Sequence, residues 1–318
     1  FITAFQFKDQ ETVWIGTFNT GIYRTSGSSS VNYNTSNSPL PDDRINDLFV
    51  DHLDRLWMAT DNGFAMLHEE AWEVYTMDNT PLLMPRISQI VVNGSDEIMI
   101  GNGNASEGGV LHRTKDGGWK NYTSENSLLP CNLILDIELE GDDVFWVSTA
   151  QLLGIGGVAK IENASITQVF NIEETGLLYN WIDNIEISNN ALWVGFEVPI
   201  YNESGIAEGG IQRIDPQSTN GVNTYFPNST GLTSNRIRAM KLHSDNSLWF
   251  TTTFDDPACD NCVGGIGVLF ENEKFLVSSS VNTDLPLNAF MPVLNEDNNG
   301  NMYVASELSL YKLEIGEP

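Results

Sequence analysis

Cys259 and Cys262 are separated by Asp260 and Asn261, a spacing that serves redox exchange in a cytosolic βαβ setting and a small disulfide loop in a secreted protein. No βαβ pattern surrounds the pair, so it is read as a disulfide, with Cys131 left as a free thiol. Zinc is disfavoured because no His lies near the pair in sequence. A second group is cationic: Arg44, Arg86 and Arg236 each stand four residues after a Leu, at Leu40, Leu82 and Leu232. Such a set is either an anion- or glycan-facing cluster or a set of loop ties, because the fixed fork of guanidinium donors serves both. A third group, Tyr179, Trp181, Tyr201, Asn202 and Phe254, could supply the aromatic platforms and amides that a sugar ring or peptide needs.

Signals for catalysis are thin. No Gly-x-Ser-x-Gly, Walker loop or His-Glu-x-x-His occurs, and with 43 Asp+Glu in the chain carboxylate pairs at glycosidase spacing arise without meaning. Thr114-Lys115-Asp116-Gly117-Gly118-Trp119 looks like a degenerate Asp-box turn, and a single copy supports a turn only. Asp297-Asn298-Asn299-Gly300 lacks the distal Glu of an EF-hand loop and reads as a hairpin turn. No cofactor or metal ligand set is assigned, although the acidic loops leave room for calcium.

Composition narrows the partners. Fifteen Lys+Arg against 43 Asp+Glu give a formal net charge of −28 with 41% hydrophobic residues. That is apolar enough to fold, and the field repels nucleic acid and anionic lipid. Cations, neutral glycans and basic protein patches are left. No run of 18 apolar residues marks a membrane span, and the start at Phe1 rather than Met reads as a processed or excised segment. Seven Asn-x-Ser/Thr sequons, at Asn34, Asn93, Asn104, Asn121, Asn163, Asn202 and Asn228, are about what chance gives and identify no host.

The elements that must position these groups follow from a repeat. A strand centred on Trp14, Trp57, Met99, Trp146, Trp193, Trp249 and Tyr303 recurs at steps of 43, 42, 47, 47, 56 and 54 residues, the period of a four-stranded propeller blade. About ten residues upstream lies an Ile-rich strand such as Ile45 to Val50, then a polar turn such as His52 to Arg55. Downstream come a Gly-led third strand, as in Gly63-Phe64-Ala65, and an outer strand such as Trp72 to Tyr75. No stretch reads as an amphipathic helix. Radial packing buries the sheet faces that a lone blade would expose, so the recurrent Trp is read as a wedge between blades.

The pattern of Leu-containing turn, Ile-rich strand, polar turn, Leu-Trp-Met-Ala-Thr and Gly-Phe-Ala over Ile45 to Ala65, with Phe5 to Tyr23 and Ile237 to Trp249 beside it, resembles the two-component regulator propeller repeat of extracytoplasmic sensor regions in bacterial hybrid histidine kinases and related surface proteins. The resemblance implies an all-β, seven-bladed propeller and a periplasmic, cell-surface or secreted location, and it implies no shared ligand. Blades are expected near residues 1-40, 41-83, 84-130, 131-179, 180-232, 233-286 and 287-318 in a single domain, the last blade with three strands. Propeller lyases of similar fold depend on a top-face His. His52 and His243 fall in turns of the opposite face, and His68 and His112 in third strands.

The connections from second to third strand hold three, two, five, six, twelve, eleven and two residues. The long ones are consecutive, in blades three to six, and build a wall on the face where recognition loops gather. The inter-blade connections add Leu128 then Asn132, Leu177 then Asn180 and Trp181, and Leu285 then Asn288 to the Leu-to-Arg series. The expected function is non-catalytic recognition of a glycan, peptide or protein on this face, through Trp181, Arg236, Tyr201 and Asn202 with Arg44, Arg86, Tyr179 and Phe254. The rival expectations are a structural component of a bacterial cell surface and a carbohydrate-active lyase or hydrolase.

Overall fold

The computed structural model describes residues 1–104, 106–151, 155–188, 191–201, 207–217, 221–225, 236–252, 265–270, 275–279, 293–306 and 309–314. The fold is a seven-bladed β-propeller in which each sheet is antiparallel and follows chain order. Blade one holds β1 (Ile2–Phe7), β2 (Thr12–Thr17), β3 (Ile22–Ser26) and β4 (Ser29–Tyr33). Blade two holds β5 (Ile45–Val50), β6 (Leu56–Thr60), β7 (Gly63–His68) and β8 (Ala71–Tyr75). Blade three holds β9 (Ile87–Val92), β10 (Ile98–Gly103), β11 (Gly108–Arg113) and β12 (Trp119–Tyr122). Blade four holds β13 (Ile134–Glu140), β14 (Val144–Gln151), β15 (Ile155–Glu162) and β16 (Ser165–Phe170). A single helical turn, α1 (Ile172–Thr175), leads to blade five, with β17 (Asn184–Ser188), β18 (Ala191–Tyr201), β19 (Ala207–Ile214) and β20 (Val222–Tyr225). Blade six holds β21 (Ile237–Leu242), β22 (Leu248–Thr252), β23 (Gly265–Leu269) and β24 (Phe275–Ser279). The last blade has the expected three strands, β25 (Val293–Glu296), β26 (Met302–Ala305) and β27 (Leu310–Lys312).

Two compact units divide the chain, Phe1–Val169 and Phe170–Pro318. In the first, Trp14 and Ile22 pack on Ile45, Leu48 and Met58 of the next blade, and Trp57 and Phe64 on Ile87, Ile90 and Ile100. In the second, Trp193 packs on Ile237, Met240 and Phe250, and Trp249 on Leu294, Met302 and Val304. The recurrent Trp is therefore a wedge between successive blades. In blades two and four its indole N–H is held near the first hairpin turn, by Asp51 for Trp57 at 2.7 Å and by Glu140 for Trp146 at 2.9 Å. A base opposite it on the third strand caps the ring: Arg24 over Trp14 at 5.7 Å, Lys160 over Trp146 at 5.4 Å and Arg213 over Trp193 at 5.7 Å. Scarce cations are thus already committed to packing.

The inner strands β1, β5, β9 and β17 also carry a polar residue that stitches each to the next blade. Thr3 Oγ1 donates to the Ile45 carbonyl at 2.6 Å, Asn46 Nδ2 to that of Ile87 at 2.8 Å, Ser88 Oγ to that of Ile134 at 2.9 Å and Asn184 Nδ2 to that of Ile237 at 3.5 Å. In β1 and β5 that residue sits at a register shift, where the ladder leaves a backbone position out of step.

The Gly that opens the third strand is fixed by close approach. Gly63 has φ of 101°, and a Cβ there would stand 2.2 Å from the Tyr75 carbonyl oxygen of β8. Its N–H donates to Pro85 O at 2.7 Å, tying the strand to the following connector. Gly63→Ala is expected to cost about 1–3 kcal/mol from backbone strain alone. Its urea midpoint should fall well below that of Gly27→Ala, a turn where a Cβ meets nothing; equal midpoints would refute the close-approach reading.

Candidate functional site

The connectors after β4, β8 and β12 are built on one device. Thr76 N–H donates to Asn79 Oδ1 at 2.8 Å, Asn79 Nδ2 returns to Val74 O at 2.8 Å, and Thr80 Oγ1 donates to Thr76 O at 2.6 Å. Asn34 to Ser38 and Thr123 to Ser127 repeat it. Six residues after its first member a Leu plugs the core, Leu40, Leu82, Leu129 or Leu177. In blade three the plug is Leu129, whereas Leu128 is 66% exposed; the series therefore runs through Leu129, and Leu133 rather than Asn132 stands in register with Arg44 and Arg86. By the same count from Asn171, Trp181 occupies the arginine position.

In the first unit this register brings Arg44 and Arg86 to one carboxylate. Arg44 Nε lies 3.6 Å from Asp61 Oδ2 and Arg86 Nε 3.4 Å from Asp61 Oδ1, while Asn46 Nδ2 donates to Asp61 Oδ1 at 2.9 Å. The Arg44 guanidinium also lies 4.4 Å over the Phe18 ring, which stacks on Phe1 at 4.9 Å between centroids. Both arginine side chains are near 40% exposed, at 38% and 43%. Long, half-exposed ion pairs hold weakly, so the forks stay open to a carboxylate or hydroxyl pair beside an exposed aromatic stack.

In the second unit Trp181 is half-buried and donates Nε1 to Asp183 Oδ1 at 2.9 Å, just ahead of β17. Asn180 Oδ1 accepts the Ile172 N–H at 2.8 Å, and Tyr179 is half-buried beside it in sequence. Arg236, half-buried and engaged, precedes β21. Tyr201 ends β18 opposite Ala207. The Tyr201 side chain, Asn202, Phe254, Cys259 and Cys262 lie outside the described residues; Cys131 is free, and burial raises its thiol pKa.

Several positioning residues escaped the sequence reading. Buried Asn102 takes the Leu83 and Met84 N–H groups on Oδ1 and donates Nδ2 to Arg86 O, so it sets the backbone that presents Arg86. Buried Gln212 does the same for the connector of Trp181, accepting Leu178 N–H at 2.9 Å. Asp61 lies in a two-residue connection and Asn46 in a strand, where neither carries a local signal. The wall also differs from a set of loops. In blade four the hairpin continues as Ala150 opposite Gly156 and Gln151 opposite Ile155, and in blade five as Ile200 opposite Glu208.

One histidine on the hairpin-turn side, His243, is committed to structure. His243 meets Asp245 at 2.7 Å and the Gly300 carbonyl at 2.9 Å. Burial disfavours its charge, but Gly300, Asp245 and Glu296 outweigh that and raise its pKa. The sequon residue Asn93 is buried and donates Nδ2 to Glu97 and to Asp142 O, which leaves no amide for modification.

Residues 39–62 match the family described as Two component regulator propeller, so the repeat that the sequence resembles is present, centred on the blade with Trp57. No curated protein sequence matches the chain. Among solved structures, the extracellular domain of a B. thetaiotaomicron protein described as a hybrid two component system is 20% identical with a TM-score of 0.72. That likeness covers 97% of this chain and 38% of that one, so this chain spans well under half of its length. A streptogramin B lyase is 18% identical with a TM-score of 0.72, covering 99% and 93%. YCF48 bound to a peptide is 14% identical with a TM-score of 0.65, covering 97% and 91%. At these identities the likenesses establish the propeller fold. No helix among the described residues is long and apolar enough to cross a membrane.

Proposed function

We propose that this chain is a non-catalytic recognition propeller of an extracytoplasmic sensor, which captures a glycan, peptide or protein on the face formed by its connectors. The reading rests on one observation: at a single register position the connectors place Arg44, Arg86 and Trp181, each partly exposed and each on a backbone braced by hydrogen bonds to the blades. Rigid polar and aromatic groups at the rim of a scaffold are what ligand orientation requires. The extracellular sensor domain and the peptide-bound propeller among its structural neighbours support a location outside the cytoplasm and a ligand of this kind. The proposed main contacts are Trp181, Arg236, Tyr201 and Asn202, with Tyr179, Phe254, Arg44 and Arg86 as further proposed contacts.

Screening the protein against glycan and peptide arrays, with Trp181→Ala and Arg236→Ala alongside, tests this reading. Each variant is expected to lose about 1–3 kcal/mol of binding, tenfold or more in affinity, with its unfolding midpoint nearly unchanged. Retained affinity in both variants, or a ligand footprint on the outer strands, would favour a surface-assembly role instead.

A further inference from the structure

Blades three and four leave a cleft on their hairpin-turn side, of about 420 Å³, within the size range of small-ligand sites. Its rim comes from four turns: Glu97 ahead of β10, Thr114 to Asp116 after β11, Asp143 ahead of β14, and Asn163 and Ala164 after β15. His112, Phe145 and Ile161 form its floor. The Asp-box-like segment of the sequence is thus part of this rim, held by Thr114 N–H donating to Gly118 O at 2.9 Å.

The floor holds a buried polar group with unused capacity. The His112 side chain is 2% exposed, between Tyr122 and Phe145 at centroid distances of 6.2 and 5.9 Å. Its Nδ1 lies 3.4 Å from Tyr122 Oη. Its Nε2 lies 3.4 Å from Glu97 Oε1 without hydrogen-bond geometry and has no hydrogen-bond partner among the described residues, a cost that a buried polar atom ordinarily avoids. Burial disfavours charge on His112 and lowers its pKa despite Glu97, so the ring is neutral near pH 7. Burial and then the Glu97 charge push the Tyr122 phenol up to about 12, so it keeps its proton. Around this neutral pair stand the carboxylates Glu97, Asp116 and Asp143 against two ammoniums, Lys115 on the rim and Lys120, which donates to Ala164 O at 2.6 Å and lies 4.7 Å from the Tyr122 ring centroid. Glu97 also takes Asn93 Nδ2 on Oε2 and the Lys115 N–H on Oε1, and Asp116 takes Thr114 Oγ1, whereas Asp143 is exposed and has no polar partner among the described residues.

We propose that this cleft binds an organic cation, an alkylammonium or guanidinium group on an apolar stem. The charged end sits among Glu97, Asp116 and Asp143, donates one N–H to His112 Nε2, and lays its stem on Phe145 and Ile161. His112 then carries its own proton on Nδ1, donated to Tyr122 Oη. Anions are repelled by the carboxylates and by the whole chain, and three carboxylates exceed what a neutral sugar would use.

Cadaverine and the blocked peptide acetyl-Gly-Lys-Gly-amide are the probes, titrated calorimetrically into the whole chain at low and high salt. Saturable binding is expected, weakened by salt and weakened about tenfold in Glu97→Gln and in His112→Phe, which keeps the ring stack. Asp143→Asn should weaken it without touching any packing, and Lys115→Gln should strengthen it by removing the competing cation on the rim, a gain that misfolding cannot produce. Binding of cadaverine alone identifies a free amine, and preference for the peptide identifies a partner's side chain; either supports the site. Absence of saturable binding by both probes, or affinities that Asp143→Asn and Lys115→Gln leave unchanged, overturns it.

Discussion

Trp57→Ala is expected to lower the unfolding free energy by about 3–5 kcal/mol, the range for truncating a buried aromatic. Trp57 is 2% exposed and packs across the blade boundary on Ile87, Ile90 and Ile100, so its loss leaves a void between two sheets that each rely on the other for cover. The neighbouring rings Phe64 and Tyr75, at 6.5 and 6.3 Å, stack on each other at 4.6 Å and are not free to fill it. Urea denaturation followed by far-UV circular dichroism reads the effect. Truncation of Trp72, a half-buried outer-strand indole, serves as the control and should cost far less. Equal losses would mean that the wedge position has no special role.

Asp51→Ala should be nearly as damaging, by about 3 kcal/mol, because it strands buried partners. The Asp51 side chain is fully buried and accepts Trp57 Nε1 at 2.7 Å, Arg55 Nε at 2.5 Å and the backbone N–H groups of Leu53 and Arg55. Arg55 reaches on to Asp96 in the next blade. Burial raises the Asp51 pKa, but the Trp57, Arg55 and backbone hydrogen bonds together outweigh it and hold the carboxyl below its ordinary value. A depressed folded-state pKa stabilises the protein above the unfolded value, about 3.9, and that stability is lost as pH falls through the folded value. The gap between wild type and Asp51→Ala should therefore be full at pH 7 and narrow below about pH 4. A gap that widens on acidification would contradict the assignment. Since Trp57 and Asp51 share a hydrogen bond, the double variant should lose less than the two single losses combined.

The repeat was legible because its strongest signals are chemical and periodic: Trp14, Trp57, Trp146, Trp193 and Trp249 fall on second strands as the spacing predicts. Blade three broke the pattern at Met99 and was still found, since Met99 lies fully buried in the same strand position. What escaped the reading were single polar residues whose partners are distant in sequence. Asn46 and Asp61 are fifteen residues apart, and Ser88 meets a carbonyl 46 residues on. A leading Gly marks the third strand in sequence, yet in blade four that strand begins earlier, and Gly156 and Gly157 both pair within the extended hairpin of β14 and β15 at positive φ. The offset between Leu128 and Leu129 was hidden because both are Leu, and only burial distinguishes them. The shared register of Arg44, Arg86 and Trp181 emerged only once the Asn and Thr connector bonds fixed the count.

The recognition account is tested most directly by hydrogen–deuterium exchange on the protein with and without a ligand recovered from the arrays. Recognition on the connector face predicts slowed exchange in the connector from Leu177 to Asn184 and at Arg236 into β21. Exchange at the first hairpin turns, including Asp51 to Arg55 and His243 to Ser247, should stay unchanged. Protection confined to those turns, or to outer strands such as β4 and β8, would contradict it.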